Sequence, residues 1–239
     1  TGYIFESIQK AHDFVETQVN TRRTKSINVI WPEPSNSSFY YAAQSFGRIN
    51  NESIHIATGA DQWRKSVMYH EYGHALMSAM YDYDFDNIPR GEYRKFHTLA
   101  MVTDLEFAFS EGWAEFFEAA VDNRAMDLTG FLDGRTPNVE NNQWWSGRYN
   151  GRGSNSNGAL VEGAVASILW DIFDTSESID LSPNTDDDQI QNRFDLLWKI
   201  ILRQKPKNIL QIAENWRDEG YPKWEALQSI YAEHRALSN

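Results

Sequence analysis

The chain has 239 residues, 41% hydrophobic, 14% aromatic and 23% charged, with a net charge of -12 and no cysteine. At about 150 residues per domain this makes one domain, or at most two, and the aromatic content excludes intrinsic disorder. The missing cysteines exclude a disulfide framework, thiolate metal sites and a Cys nucleophile, while the acidic balance argues against nucleic acid and anionic membrane surfaces as partners.

No apolar run approaches the ~18 residues of a membrane span. The start Thr1-Gly2-Tyr3 lacks a Met and a signal-like stretch, so an excised domain or a processed piece of a larger precursor is expected. Absence of cysteine is compatible with bacterial secretion.

Along the chain, Ile4, Phe5, Ile8, Ala11, Val15 and Val19 recur at helical spacing and predict an opening amphipathic helix. Ser26 to Trp31 is β-branched and stops at Pro32 and Pro34, which reads as a strand. Phe39 to Phe46 is expected to pack beneath a second strand, Ser53 to Thr58. From Asp61 to about Tyr81 the pattern is helical, with Trp63, Val67, Met68, Leu76 and Met80 as expected core. Asp104 to about Asn123 predicts another helix, because it contains few breakers. Asp133 to Gly158 shifts to Asn, Gly, Ser, Arg and Trp and reads as a long loop, a kind of segment that often carries function. Ala159 to Phe173 returns to a helical pattern, and two or three helices fill the chain to Ser238. The order is strands with helices first and helices last, an α+β arrangement. It is read as one unit over 1–239, with a sheet and helix lobe at 1–104 and a helical lobe at 105–239.

The sharpest chemical signal is His70-Glu71-Tyr72-Gly73-His74, H-E-x-x-H within a predicted helix. Residues four apart share a helix face, so both imidazoles reach one zinc ion, with Glu71 beside them as general base. A catalytic zinc needs a third protein ligand. A Gly and a His beyond the second His would make the metzincin pattern, but those places hold Met77 and Met80. The candidates are Glu92, His97, Asp104, Glu106, Glu111 and Glu115. Glu111 is chosen because it lies on a second helix, a rigid support, and because Gly112 would allow that helix to approach the first. Glu115, one turn on, can orient a ligating imidazole. Glu118 is assigned to a solvated helix face.

The pair His70-Glu71-Tyr72-Gly73-His74-Ala75-Leu76 and Glu111-Gly112-Trp113-Ala114-Glu115-Phe116-Phe117 resembles the gluzincin metallopeptidases, the thermolysin-like and fungalysin-like zinc proteases. Weaker likenesses are Ala11-His12-Asp13-Phe14, Phe39-Tyr40-Tyr41, Ser53-Ile54-His55-Ile56 and Ala166-Ser167-Ile168-Leu169-Trp170-Asp171. The resemblance implies a zincin catalytic fold, with a small mixed sheet whose edge strand precedes the active-site helix, and a helical C-terminal half. It implies His70, His74 and Glu111 as zinc ligands, Glu71 as base and Glu115 behind the ligands. It also implies that Ser53, Ile54, His55, Ile56 and Ala57 form the edge that pairs with an extended peptide.

Two departures stand out. His74 and Glu111 are separated by 36 residues, more than in the nearest thermolysin relatives, so Tyr81 to Thr103 is expected beside the cleft. The V-H-x-x-G whose His stabilises the oxyanion is replaced by Ala159-Leu160-Val161-Glu162-Gly163. Tyr149, Arg148, Arg152, Tyr93 and His97 are candidates to supply the donor. Trp144, Trp145 and Tyr149 line a substrate groove or cap the core. Asp82, Asp84 and Asp86, and Asp186 to Asp188, are candidate Ca2+ ligands outside the EF-hand pattern, which would need other residues at Asn87 and Tyr93. Asn36 and Asn51 open glycosylation sequons.

The expected function is a secreted zinc endopeptidase, acting as a monomer on protein or peptide substrates without nucleic acid or membrane partners. The alternatives are a zinc-binding pseudo-peptidase, suggested by the missing oxyanion His, and an aminopeptidase of the same group, for which no G-x-M-E-N type sequence is present.

Overall fold

A computed structural model describes residues 2–21, 23, 25–92, 97–125, 128, 136–140, 144, 157–175 and 189–236. Helix α1 (Gly2–Val19) leads into strands β1 (Asn28–Glu33), β2 (Phe39–Ser45) and β3 (Arg48–Ala57). Then come α2 (Lys65–Met80), α3 (Leu105–Asp122) and α4 (Glu162–Phe173), followed by α5 (Phe194–Gln204), α6 (Ile209–Asp218) and α7 (Trp224–Glu233). The fold is α+β, a small mixed sheet ahead of a helical second half. No helix among the described residues is long and apolar enough to cross a membrane.

Helix α1 buries Ile4, Ser7, Ala11 and Val15, one stripe at the spacing of successive turns. The Phe39 to Phe46 segment is a strand rather than a patch below one. It forms a hairpin with β3 through Phe46 and Gly47, at φ 52° and 71°, the left-handed pair that suits a two-residue hairpin turn. Strand β1 runs parallel to β3 on its other side, with Asn28 opposite Ser53 and Ile30 opposite His55. Its Pro32 is tolerable because β1 is an edge strand, where a missing N–H breaks no ladder.

The strand order β1-β3-β2 overturns the expected role of Ser53, Ile54, His55, Ile56 and Ala57. These residues lie in the central strand, with both neighbours paired, so they offer no free edge to a peptide. Five of the six residues from Glu52 to Ala57 are buried, the signature of a strand covered on both faces.

Helix α2 starts at Lys65, after a 3-10 turn over Asp61–Trp63. Trp63 is therefore outside the helix and 69% exposed, not core. Helix α3 is the spine of the molecule. Asp104 caps it by accepting a 2.9 Å hydrogen bond from the Phe107 amide, satisfying one of the free N–H groups of its first turn. It ends at Asn123, whose φ of 50° is left-handed. Phe109, Trp113, Phe116 and Phe117 are fully buried along it, and truncating one such ring to Ala typically costs about 3–5 kcal/mol.

Two glycines set the spacing around α3. A Cβ on Gly73 would lie 3.2 Å from the Ala114 Cα, so Gly73 is what lets α2 and α3 approach. Gly112 faces the other way: its Cβ would lie 2.7 Å from the Glu162 carbonyl oxygen and from Val165. The expected contact of Gly112 with the first motif helix is thus replaced by one with α4. The Trp113 indole locks the α2–α3 contact by donating to the Gly73 carbonyl at 3.1 Å.

Candidate metal centre and cleft

Helices α2 and α3 bring His70, His74 and Glu111 together. The Nε2 atoms of His70 and His74 are 3.2 Å apart, and the Glu111 Oε2 lies 3.5 Å from the first and 3.4 Å from the second. Two imidazole lone pairs and a carboxylate oxygen facing one point repel one another unless a cation sits between them. A tetrahedral zinc with bonds of about 2.0–2.2 Å needs ligand atoms roughly 3.3–3.5 Å apart. The triangle fits that ion. Glu92, Asp104, Glu106 and His97, the other third-ligand candidates, do not join this convergent group in the described structure.

The electrostatics favour a cation. Burial alone would lower the His70 pKa, but Glu111, Glu118, Glu115 and Glu71 around it push it well above the ordinary value. Burial would raise Glu111, yet His74 and His70 hold it well below the usual carboxylate range. Burial raises the Glu71 carboxyl, which also accepts from the Tyr40 backbone amide. Glu71 thus holds a proton more tightly than an ordinary glutamate.

Behind His70 the structure adds a residue that sequence reasoning assigned elsewhere. The Nδ1 atom lies 3.6 Å from Glu115 Oε1, as the helical spacing suggested, and also 3.6 Å from Glu118 Oε2. Glu118 is 3% exposed, not solvated. Its one-turn spacing from Glu115 was the available signal, since i and i+3 share a face. Burial and the neighbouring Glu118 push the Glu115 carboxyl well above its ordinary value.

The three ligand candidates open on a cleft of about 750 Å³. One wall is β2, through Phe39, Tyr40 and Ala42, and the Tyr40 ring stacks 6.5 Å from His74. Phe85, Ile88, Arg90 and Gly91 also line it, so the extra segment after His74 does border the cleft. His97 lines it too, with Nδ1 2.7 Å from the buried Glu162.

The other candidates are placed differently. Tyr149, Arg148, Arg152, Tyr93, Trp145 and Asp186 to Asp188 lie outside the described residues. Trp144 is fully buried, donating to the Ser167 hydroxyl at 3.0 Å, so it packs in the core rather than lining a groove. Asp82, Asp84 and Asp86 do not converge on one point in the described structure. Lysines serve that turn instead: Lys205 pairs with Asp82 at 3.0 Å, and Lys207 donates to the Asn87 carbonyl at 2.7 Å.

No curated protein and no solved structure gives a significant match to the chain. A family model, the mycolysin C-terminal domain, matches residues 10–228. With nearly the whole length covered, and with the two motif helices inside the matched span, the chain belongs to the mycolysin C-terminal domain family, which is related to metallopeptidases.

Proposed function

We propose that the chain is a zinc-dependent endopeptidase of the thermolysin-like kind, acting outside the cell. The observation that carries this reading is the triangle of His70, His74 and Glu111 lining an open cleft, with a buried Glu71 beside it. A structural zinc would be closed by four protein ligands, whereas three ligands facing a cleft leave a coordination position open. Family membership agrees with the peptidase reading.

His70, His74 and Glu111 would hold the metal, which when bound supplies a Lewis acid that polarises the scissile carbonyl and lowers the pKa of a water to ~7. Glu71 accepts a proton from the attacking water as the new C–O bond forms. It returns that proton to the amide nitrogen as the C–N bond breaks, and the remaining hydroxyl proton passes to the departing amine, so the products are a carboxylate and an ammonium group. Glu115 and Glu118 sit behind His70, where carboxylates fix ring orientation and keep Nε2 aimed forward. The substrate strand lies along β2, the terminal strand that borders the cleft, instead of β3.

The test is zinc content measured together with cleavage of a peptide library, for the wild type and Glu71→Gln. Stoichiometric zinc in both, with cleavage reduced by ~10²–10⁴ in Glu71→Gln, is the expected result. Zinc in both without cleavage in either would turn the reading into a binding module. No zinc in a metal-supplemented preparation would overturn it.

A further inference from the structure

Acyl transfer to water needs a donor for the oxygen that gains charge as the carbonyl is attacked. The proposed metal ligands, Glu71, Glu115 and Glu118 supply none from a side chain. His97 lies on the cleft wall with its side chain 29% exposed, while its partner Glu162 is 1% exposed. The pairing is built by the backbone on either side of it. The Gly163 amide donates to the Leu99 carbonyl at 2.9 Å, the Thr103 amide donates to the Leu160 carbonyl at 2.8 Å, and Val102 bridges Val161. The segment after His97 is therefore stitched to the first turn of α4, where Glu162 stands. The Phe107 ring meets the imidazole edge-on at 5.1 Å and limits its rotation.

We infer that His97, held by Glu162, is the side chain that donates to the developing oxyanion. The inference rests on the peptidase reading and names a further residue of that same site. With Nδ1 engaged by Glu162, the Nε2 atom has no partner among the described residues, and the ring borders the cleft that holds the ligand triangle. To donate from Nε2 the ring must carry a proton there besides the one shared between Nδ1 and the carboxylate. Losing the Nε2 proton would leave a net negative charge beside a buried glutamate, which is costly. Burial alone would lower the His97 pKa, but the hydrogen bond that the ring donates to Glu162, together with the charge of that carboxylate, raises it and so favours the protonated ring. His97 is not part of the convergent ligand group, so its part is to bind the substrate oxygen rather than the ion.

The experiment compares zinc-loaded wild type with His97→Leu and Glu162→Gln. In His97→Leu, kcat should fall ~10²–10³-fold, the usual loss on removing one oxyanion donor, with KM and zinc stoichiometry unchanged. Affinity for a phosphinic peptide, whose tetrahedral centre mimics the attacked carbonyl, should fall by a similar factor. Affinity for the intact peptide, measured in the Glu71→Gln background, should not change when His97→Leu is added. Should His97→Leu not fold by circular dichroism, Glu162→Gln carries the test, with kcat expected ~10-fold lower through loosened orientation of the ring and zinc content unchanged. A kcat within threefold of wild type in the folded variant, or a loss confined to zinc content or KM, overturns the inference. An inactive zinc-loaded wild type overturns the peptidase reading itself, and this inference with it.

Discussion

Two histidine–glutamate pairs in the molecule have the same separation, 2.7 Å from Nδ1 to a carboxylate oxygen: His97–Glu162 at the cleft and His55–Glu33 on the sheet. Their surroundings differ. The second nitrogen of His55 is taken by the Ser53 hydroxyl at 2.8 Å, and its ring lies flat against Phe39 at 4.4 Å. Glu33, chiefly through its hydrogen bond to His55, has a lowered pKa, the mark of an ionised carboxylate open to water. Ser53, His55 and Glu33 line up as a nucleophile, base and acid would. Yet Ser53 is buried in the central strand, and none of the three borders the cleft. The comparison teaches that a histidine–carboxylate distance does not define a role. What the second nitrogen meets, and whether water reaches the carboxylate, decide it.

The largest expected effect comes from breaking the support of the cleft pair without replacing either of its residues. Gly112→Ala drives a Cβ against the Glu162 carbonyl and Val165. It should cost about 1–3 kcal/mol of stability by overpacking and lower kcat by shifting Glu162. Denaturant unfolding and steady-state kinetics on the same preparation check both, and an unaltered protein would show that α4 yields without disturbing the pair.

Next is the side of His70 away from the cleft. Glu118→Gln should weaken zinc affinity by ~10–100-fold, the usual loss when a partner of a ligating imidazole is removed. Chelator competition reads this directly. An unchanged affinity would leave Glu115 as the sole orienting carboxylate at Nδ1.

His55→Gln should be the mild counterpart of any change at His97. It removes the sheet pair, so a small drop in melting temperature is expected while kcat and KM stay at wild-type values. A large fall in kcat would erase the distinction between the two pairs.

The smallest effect is a pH control at a site remote from both pairs. Burial would raise the pKa of Asp122, but Lys10 and Lys65 outweigh it and lower the carboxyl below its ordinary value. Because folding lowers this pKa, the links stabilise the protein above the unfolded value of ~3.9 and fade as pH falls through the folded one. Partial exposure and solvent screening keep the contribution within about 1 kcal/mol. The melting-temperature gap between wild type and Asp122→Asn should therefore hold from pH 6 down to about 4, then narrow below it and close as pH falls past the lowered folded-state pKa.

The parts of the site that were legible in the chain are those set by helical periodicity. His70, Glu71 and His74 converge because four residues make about one turn, and Glu115 follows Glu111 for the same reason. The sheet was less legible. Ser53 to Thr58 reads as a strand on any account, but whether it is an edge depends on Asn28 and Phe39, which reach it from other parts of the sequence. Trp63 looked like core because it is large and apolar, and a 3-10 turn before α2 leaves it in solvent.

Determined by the sequence alone, then, were the α+β order of elements, the two motif helices and the residues able to ligate zinc, because these depend on short-range spacing and side-chain chemistry. Tertiary structure decided the rest. It set the central place of β3, the contact of Gly112 with α4, the burial of Glu118 and the meeting of His97 with Glu162 across 65 positions of chain. Each of these depends on which surfaces pack together, and packing is settled by the burial of the whole core rather than by any local pattern.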